Sequence, residues 1–392
     1  MSDPVVAPGD GEPRPRQDRT PARNDAYGGP EMIQLLTPEG ERVDHPEYSR
    51  YVEHLTDEDL RGFYRDMLLI RRVDTEGTAL QRQGQLGLWV SLLGQEAAQI
   101  GVGRAMRKQD HAFPGYREHG VGWCRGIKPL QVMSQFRGVD QGGWDPREVG
   151  MHLYTIVIGN QVLMGTGYAM GITLDGAVGT GDPDRDAAVV AFFGDGATAQ
   201  GDVNESFVFA GVNNAPIVFF CQNNQWAISE PNERQTRGPL HHRANGFGFP
   251  GLRVDGNDVL ASYAVSKAML DRARDGQGPS LIEAYTYRMA AHTTSDDPTK
   301  YRVDAEVEVW KHRDPIQRLR AYLTRTGKAD QAFFEAVDAE ADAIAEEIRT
   351  GTVGMPDPDP HGMFDHLYVD EFPLVEEQRA EFAAYAASFE EN

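Results

Sequence analysis

The chain is poor in the features that would mark several function classes. It has only two cysteines, Cys124 and Cys221, among 392 residues. That excludes a disulfide framework and fits a reducing cytoplasm, the expected location. No apolar run approaches the ~20 residues that cross a membrane, and the amino terminus lacks the apolar core of a secretory signal. Basic residues are outnumbered, 38 Lys and Arg against 60 Asp and Glu, for a formal net charge of −22. Such an acidic chain is unsuited to nucleic acid or anionic membranes. Cys221 lies inside an apolar run and reads as core, not as a nucleophile.

What is present is a long alternation of strand and helix signals. Residues 1–31, rich in Pro, Gly and charge, read as a disordered arm. Residues 32–328 form the expected main domain, and 329–392 a carboxyl-terminal helical extension. Thr56, with Asp59 three residues on, predicts a helix start, and Leu60, Phe63, Met67 and Ile70 continue with helical spacing. Leu252–Val254, a helix from 258 to 275, a Gly278-Pro279 break and Leu281–Tyr287 read as one βαβ unit. Phe333, Val337, Ala341, Ile344 and Ile348 predict an amphipathic helix closed by Gly351. Gly165, Gly167 and Gly171 lack dinucleotide-loop spacing and read as tight helix packing.

The densest information runs from Ala187 to Asn224. Ala187–Phe193 is an apolar run of the kind buried on both faces of a parallel sheet. Gly194-Asp195-Gly196 turns the chain, Asp202–Asn213 forms a crossover, and Ile217–Cys221 is a second apolar run. A right-handed crossover sets Asp195 and Asn224 at the carboxyl edge of one sheet, where open α/β folds bind ligands. An anionic carboxylate and a neutral amide oxygen are hard donors that suit Mg2+ completed by phosphate and water. Taken singly, Asp-Gly and Asn-Asn are ordinary turn signals; together, at the two ends of one βαβ unit, they suggest a metal–phosphate site. Two such units in succession predict an α/β fold with a doubly wound, mostly parallel sheet and helical extensions at both ends.

GDGATAQGD followed by QNNQWAIS resembles the thiamine-diphosphate motif. The wider text is similar to the alpha subunit of the decarboxylating component of 2-oxo acid dehydrogenase complexes. The matching segments are RQGQLGLW (Arg82–Trp89), GQEAAQIG (Gly94–Gly101), GYREHG (Gly115–Gly120), LRVDGNDV (Leu252–Val259), LIEAYTYR (Leu281–Arg288) and HTTSDDPTKYR (His292–Arg302). They occur in the family's order over roughly residues 56–325.

The resemblance implies thiamine diphosphate and Mg2+ as cofactors. It implies Asp195, Asn224 and the Trp226 carbonyl as metal ligands. Tyr116, Arg117, Ile156, Ile158, Gly194, Gly196 and Ala197 would meet the cofactor. His292 would be both a cofactor contact and the catalytic histidine. From the residues alone, Arg117 could instead pair with Glu118, His292 could merely cap a strand, and Ile156 and Ile158 could be core. Asp296 and Asp297 could hold Arg288 and Arg302 to order the His292 loop. Thr293 stands where mitochondrial relatives carry a phosphorylated serine, and Val157, Asn160 and Gln161 match a potassium site only in part. The second cofactor domain and its glutamate are absent, which implies a separate beta subunit in an α2β2 assembly and a lipoyl-bearing acyltransferase core beyond it. The implied reaction is oxidative decarboxylation of a 2-oxo acid, branched-chain in preference to pyruvate. An acetoin-cleaving enzyme and a non-catalytic nucleotide-binding protein are the alternatives.

Overall fold

The computed structural model describes residues 32–140 and 142–389. The expected disordered arm, 1–31, lies outside the described residues. A sheet is built from β1 (Met32–Ile33), β2 (His111–Phe113), β3 (Val189–Gly194), β4 (Ile217–Asn223), β5 (Gly251–Asp255) and β6 (Ser280–Tyr285). Its order is β1-β5-β6-β4-β3-β2, and every neighbouring pair is parallel. The long helices are α1 (Asp57–Arg82), α2 (Glu96–Ala105), α3 (Asn160–Leu174), α4 (Gly201–Val212) and α5 (Val259–Arg274), followed by α6 (Pro315–Arg325), α7 (Gln331–Val353) and α8 (Pro373–Ala387).

Alternate residues of the central strands feed two cores. Val190, Phe192, Val218, Phe220 and Ile282 join residues of α1, α2 and α5 in one cluster. Val189, Ala191, Phe193, Ile217, Phe219 and Cys221 pack with α3 and α4 in the other. Because both faces are covered, the strands read as continuous apolar runs without polar alternation. The doubly wound reading is therefore correct, and so is the placing of Cys221 in the core, fully buried.

Local signals behave as their chemistry dictates, with two corrections. Thr56 and Asp59 form the reciprocal capping box, with Thr56 Oγ1 accepting from Asp59 N at 3.2 Å and Asp59 Oδ2 from Thr56 N at 2.9 Å. Gly351 does not end its helix: α7 continues to Val353. A Cβ at Gly351 would lie 2.7 Å from Leu130 Cδ2, so this glycine admits a neighbouring side chain. Of the three glycines on α3, only Gly165 is packed, against Phe113 and Ala191; Gly167 and Gly171 face open space. Among the described residues, no helix is long and apolar enough to cross a membrane.

One buried carboxylate ties the edge of the sheet to a helix. Asp258 caps α5 by accepting from Leu260 N and Ala261 N, both at 3.0 Å. It also accepts from Leu35 N at 2.6 Å and Leu36 N at 2.5 Å, just after β1. Losing it would strand four backbone donors. Asp258→Ala should cost about 3 kcal/mol, a lost cap plus buried donors left unpaired. Chemical denaturation should read the loss as a lower midpoint at unchanged slope.

Candidate active site

The site follows from where β3 and β4 stop. Gly194 lies opposite Gln222 in the register, so Asp195 and Asn224 leave adjacent strands at the same sheet edge. Asp195 opens a short 3-10 turn, Asp195–Ala199. Beyond this edge is a cavity of about 480 Å3. Tyr116, Arg117, Ile156, Ile158, Gly194, Asp195, Gly196, Ala197, Asn224, Trp226 and His292 all line it. Every site residue expected from sequence is thus brought to one cavity.

The carboxylate is nearly dry. Asp195 is 1% exposed, and its Oδ2 accepts from Gln235 Nε2 at 3.0 Å and Asn232 Nδ2 at 3.5 Å. Burial pushes its pKa up to about 6, because desolvation penalises the anion more than these amides favour it. Asn224 Oδ1 accepts from Trp226 N at 3.3 Å, and its Nδ2 donates to Gln95 Oε1 at 3.4 Å. The Trp226 carbonyl accepts from Arg288 Nη1 at 3.1 Å.

His292 is held by arginines. Arg117 Nη2 reaches His292 O at 3.0 Å and Nδ1 at 3.3 Å, and Arg288 Nη1 reaches Nδ1 at 3.4 Å. Burial, reinforced by the charges of Arg117 and Arg288, lowers the imidazole pKa to about 4. The ring is therefore neutral at pH 7. Two cationic donors at Nδ1 make that nitrogen the acceptor and leave the proton on Nε2. The suggestion that His292 merely caps a strand fails, since β6 ends at Tyr285.

Three alternatives read from sequence are corrected by the geometry. The Arg117 guanidinium goes to the Ser91 carbonyl and to His292. Glu118 instead accepts from the Arg117 backbone N at 3.1 Å and from Gln222 Nε2 at 2.6 Å. Ile156 and Ile158 are not core: they are 68% and 41% exposed. Asp296 reaches Arg288 through Tyr301, whose hydroxyl donates to Asp296 Oδ2 and accepts from Arg288 Nη2 at 2.8 Å. Arg302 binds the carbonyls of Arg288 and Met289, while Asp297 accepts from Thr299 N at 3.1 Å. The loop is ordered as expected, but mainly through backbone groups and one tyrosine.

Some lining residues had escaped notice in the sequence. Gln95 is fully buried, and its Nε2 has no partner among the described residues. Leu88, Val90, Phe136 and Ile228 give the cavity an apolar wall. For Leu88, Gln95 and Ile228 the only sequence signal was membership of the segments RQGQLGLW, GQEAAQIG and QNNQWAIS; Val90 and Phe136 had none.

Residues 64–356 match the family model described as the dehydrogenase E1 component. The chain belongs to the dehydrogenase E1 component family. It is 44% identical over 358 residues to the 3-methyl-2-oxobutanoate dehydrogenase subunit alpha of Mycobacterium tuberculosis, covering 91% of this chain and 95% of that one. It is 37% identical over 338 residues to the pyruvate dehydrogenase E1 component subunit alpha of Acholeplasma laidlawii, covering 84% and 94%. The corresponding Staphylococcus aureus subunit is 36% identical over 312 residues, covering 79% and 81%. As an E1 component the chain is an oxidoreductase, which sets aside the non-catalytic nucleotide-binding alternative.

In this E1 chain the histidine loop hangs on Tyr301. Tyr301→Phe removes the hydroxyl between Arg288 and Asp296 at a cost of about 1–2 kcal/mol. Amide hydrogen exchange over 292–297 should quicken about tenfold, with the strands unaffected.

Proposed function

We propose that this chain is the alpha subunit of an α2β2 enzyme that binds thiamine diphosphate and Mg2+ and oxidatively decarboxylates branched-chain 2-oxo acids of the 3-methyl-2-oxobutanoate type. The acyl group would pass to the lipoyl arm of an acyltransferase core, in the cytoplasm. One observation carries the reading: a single cavity joins paired hard-oxygen donors to an apolar wall at the carboxyl edge of the sheet.

The residues fit the cofactor. Gln95 Nε2 is a buried donor awaiting an acceptor. A Cβ on Gly196 would lie 2.6 Å from Ala227 Cβ, so only glycine lets these two segments meet at the cavity wall. Among the described residues, no group of three or more His, Cys, Asp or Glu could hold a metal. An ion at Asp195 and Asn224 would need diphosphate oxygens to complete its shell, as Mg2+ prefers.

Bound thiamine diphosphate would supply the carbanion that attacks the 2-oxo carbon and the electron sink for loss of carbon dioxide. Asp195 and Asn224, with the Trp226 carbonyl, would hold the Mg2+. Tyr116 and Arg117 would bind the diphosphate, Arg117 as a charged fork. Gly194, Gly196 and Ala197 would let the phosphates approach the backbone, and Ile156 and Ile158 would pack on the organic part. His292, neutral with its proton on Nε2, would donate that proton during acyl transfer. Leu88, Val90, Phe136 and Ile228 would receive the aliphatic side chain.

The surface supports a partner. Ile156, Val157, Leu174, Phe209 and Val212 are 50–87% exposed. Exposed apolar clusters of this kind mark protein interfaces, and here they border the cavity and helices α3 and α4. A beta subunit covering them would bring the missing glutamate.

Asp195→Ala, assayed with the beta partner, should abolish thiamine-diphosphate binding by calorimetry while the unfolding midpoint of the cofactor-free protein holds. His292→Ala should keep the cofactor but lose acylation of a lipoyl domain. The wild-type complex should favour 3-methyl-2-oxobutanoate over pyruvate by at least about tenfold in kcat/KM, the value of one or two buried methyl groups. Equal rates on the two acids would refute the substrate assignment.

A further inference from the structure

We propose that Gln235 is a positioning residue for the metal: its amide holds Asp195 Oδ2 so that Oδ1 is presented to the ion. The inference rests on the cofactor reading above and adds to it a residue outside every motif.

The backbone builds this contact deliberately close. After β4, Trp226–Ala227 pairs antiparallel with Glu230–Pro231. Ile228 takes a φ of 54°, in the left-handed region, to make the reversal. The following helical turn, Asn232–Gln235, carries its first and last residues on one side, three positions apart. Both side chains return to the end of β3: Gln235 Nε2 lies 3.0 Å and Asn232 Nδ2 3.5 Å from Asp195 Oδ2. Gln235 Oε1 would lie 3.4 Å from a Cβ at position 196, an ordinary contact, so its side chain runs along the same turn.

An amide suits the task. A carboxylate that is 1% exposed needs a donor. Lysine or arginine would donate but would set a positive charge beside a divalent cation, and an ionised Glu could only accept. A neutral amide orients the anion and leaves its charge for the metal. Partners of this kind behind a ligand change metal affinity by roughly 10- to 100-fold.

The test uses the complex with its beta subunit. Gln235→Met keeps length and bulk but removes the donor; Gln235→Ala removes both. Free Mn2+ is followed by electron paramagnetic resonance during titration in the presence of thiamine diphosphate. Both variants should bind Mn2+ at least about tenfold more weakly, with the unfolding midpoint of the cofactor-free complex unchanged. Equal or tighter Mn2+ binding in Gln235→Met would overturn the assignment. So would a loss of affinity matched by a fall in that midpoint, because Gln235 would then be structural. A wild-type complex that takes up no Mn2+ with thiamine diphosphate would overturn the cofactor reading first, and this inference with it.

Discussion

The burial of the Asp195 carboxylate at the end of β3 is the constraint on which the site depends. A sheet covered on both faces leaves no room for chemistry along its strands, so polar groups collect where the strands stop. There a side chain 1% exposed is anionic only if the protein surrounds it with donors or a cation. The turn at 195–199, the glycine at 196 and the reversal at Ile228 bring amides to that oxygen. With amides alone, the carboxyl is still pushed up to about 6. On the proposed reading, a divalent ion would complete the stabilisation of that anion.

A second balance of charge is set across the cavity. Arg117 reaches the His292 carbonyl, Arg302 those of Arg288 and Met289, and Arg288 those of Trp226 and Ile228 as well as His292 Nδ1; the imidazole stays neutral among them. Trp89 and Thr294 lock the segment from the other side, each backbone N donating to the other residue at 3.0 Å. Arg117 hydrogen-bonds to neutral oxygens and a neutral ring, and Arg288 meets Asp296 only through Tyr301, so a polyanion bound beside them would be favoured. On the proposed reading the two halves are complementary: the carboxylate end would hold the metal and the arginine end the diphosphate.

The sequence made much of this legible because the signals were local. The apolar runs at 187–193 and 217–221, the Thr56–Asp59 cap and the strand-end Asp195 and Asn224 each depend on neighbours within one unit. Gln235 was invisible because its partner lies across a reversal that no pattern announces. The role of Gln95 depends likewise on a contact between distant segments, with Asn224, and that of Tyr301 on how its own loop folds back. Gly351 looked like a helix stop, yet its reason is Leu130, on another helix. Ile156 and Ile158 could not be told from core by composition, since an interface and a core use the same side chains.

Among the described residues the apolar rim is exposed, and the proposed beta subunit would cover it. The central claim is that Asp195 and Asn224 form one metal site with a diphosphate. The most direct test is anomalous X-ray scattering from crystals of the complex grown with Mn2+ and thiamine diphosphate. A Mn2+ peak should lie about 2.1–2.2 Å from a side-chain oxygen of Asp195 and of Asn224, close to the usual range for hard oxygen donors. A peak elsewhere, with the cofactor bound but Asp195 and Asn224 left to their amide partners, would contradict that claim.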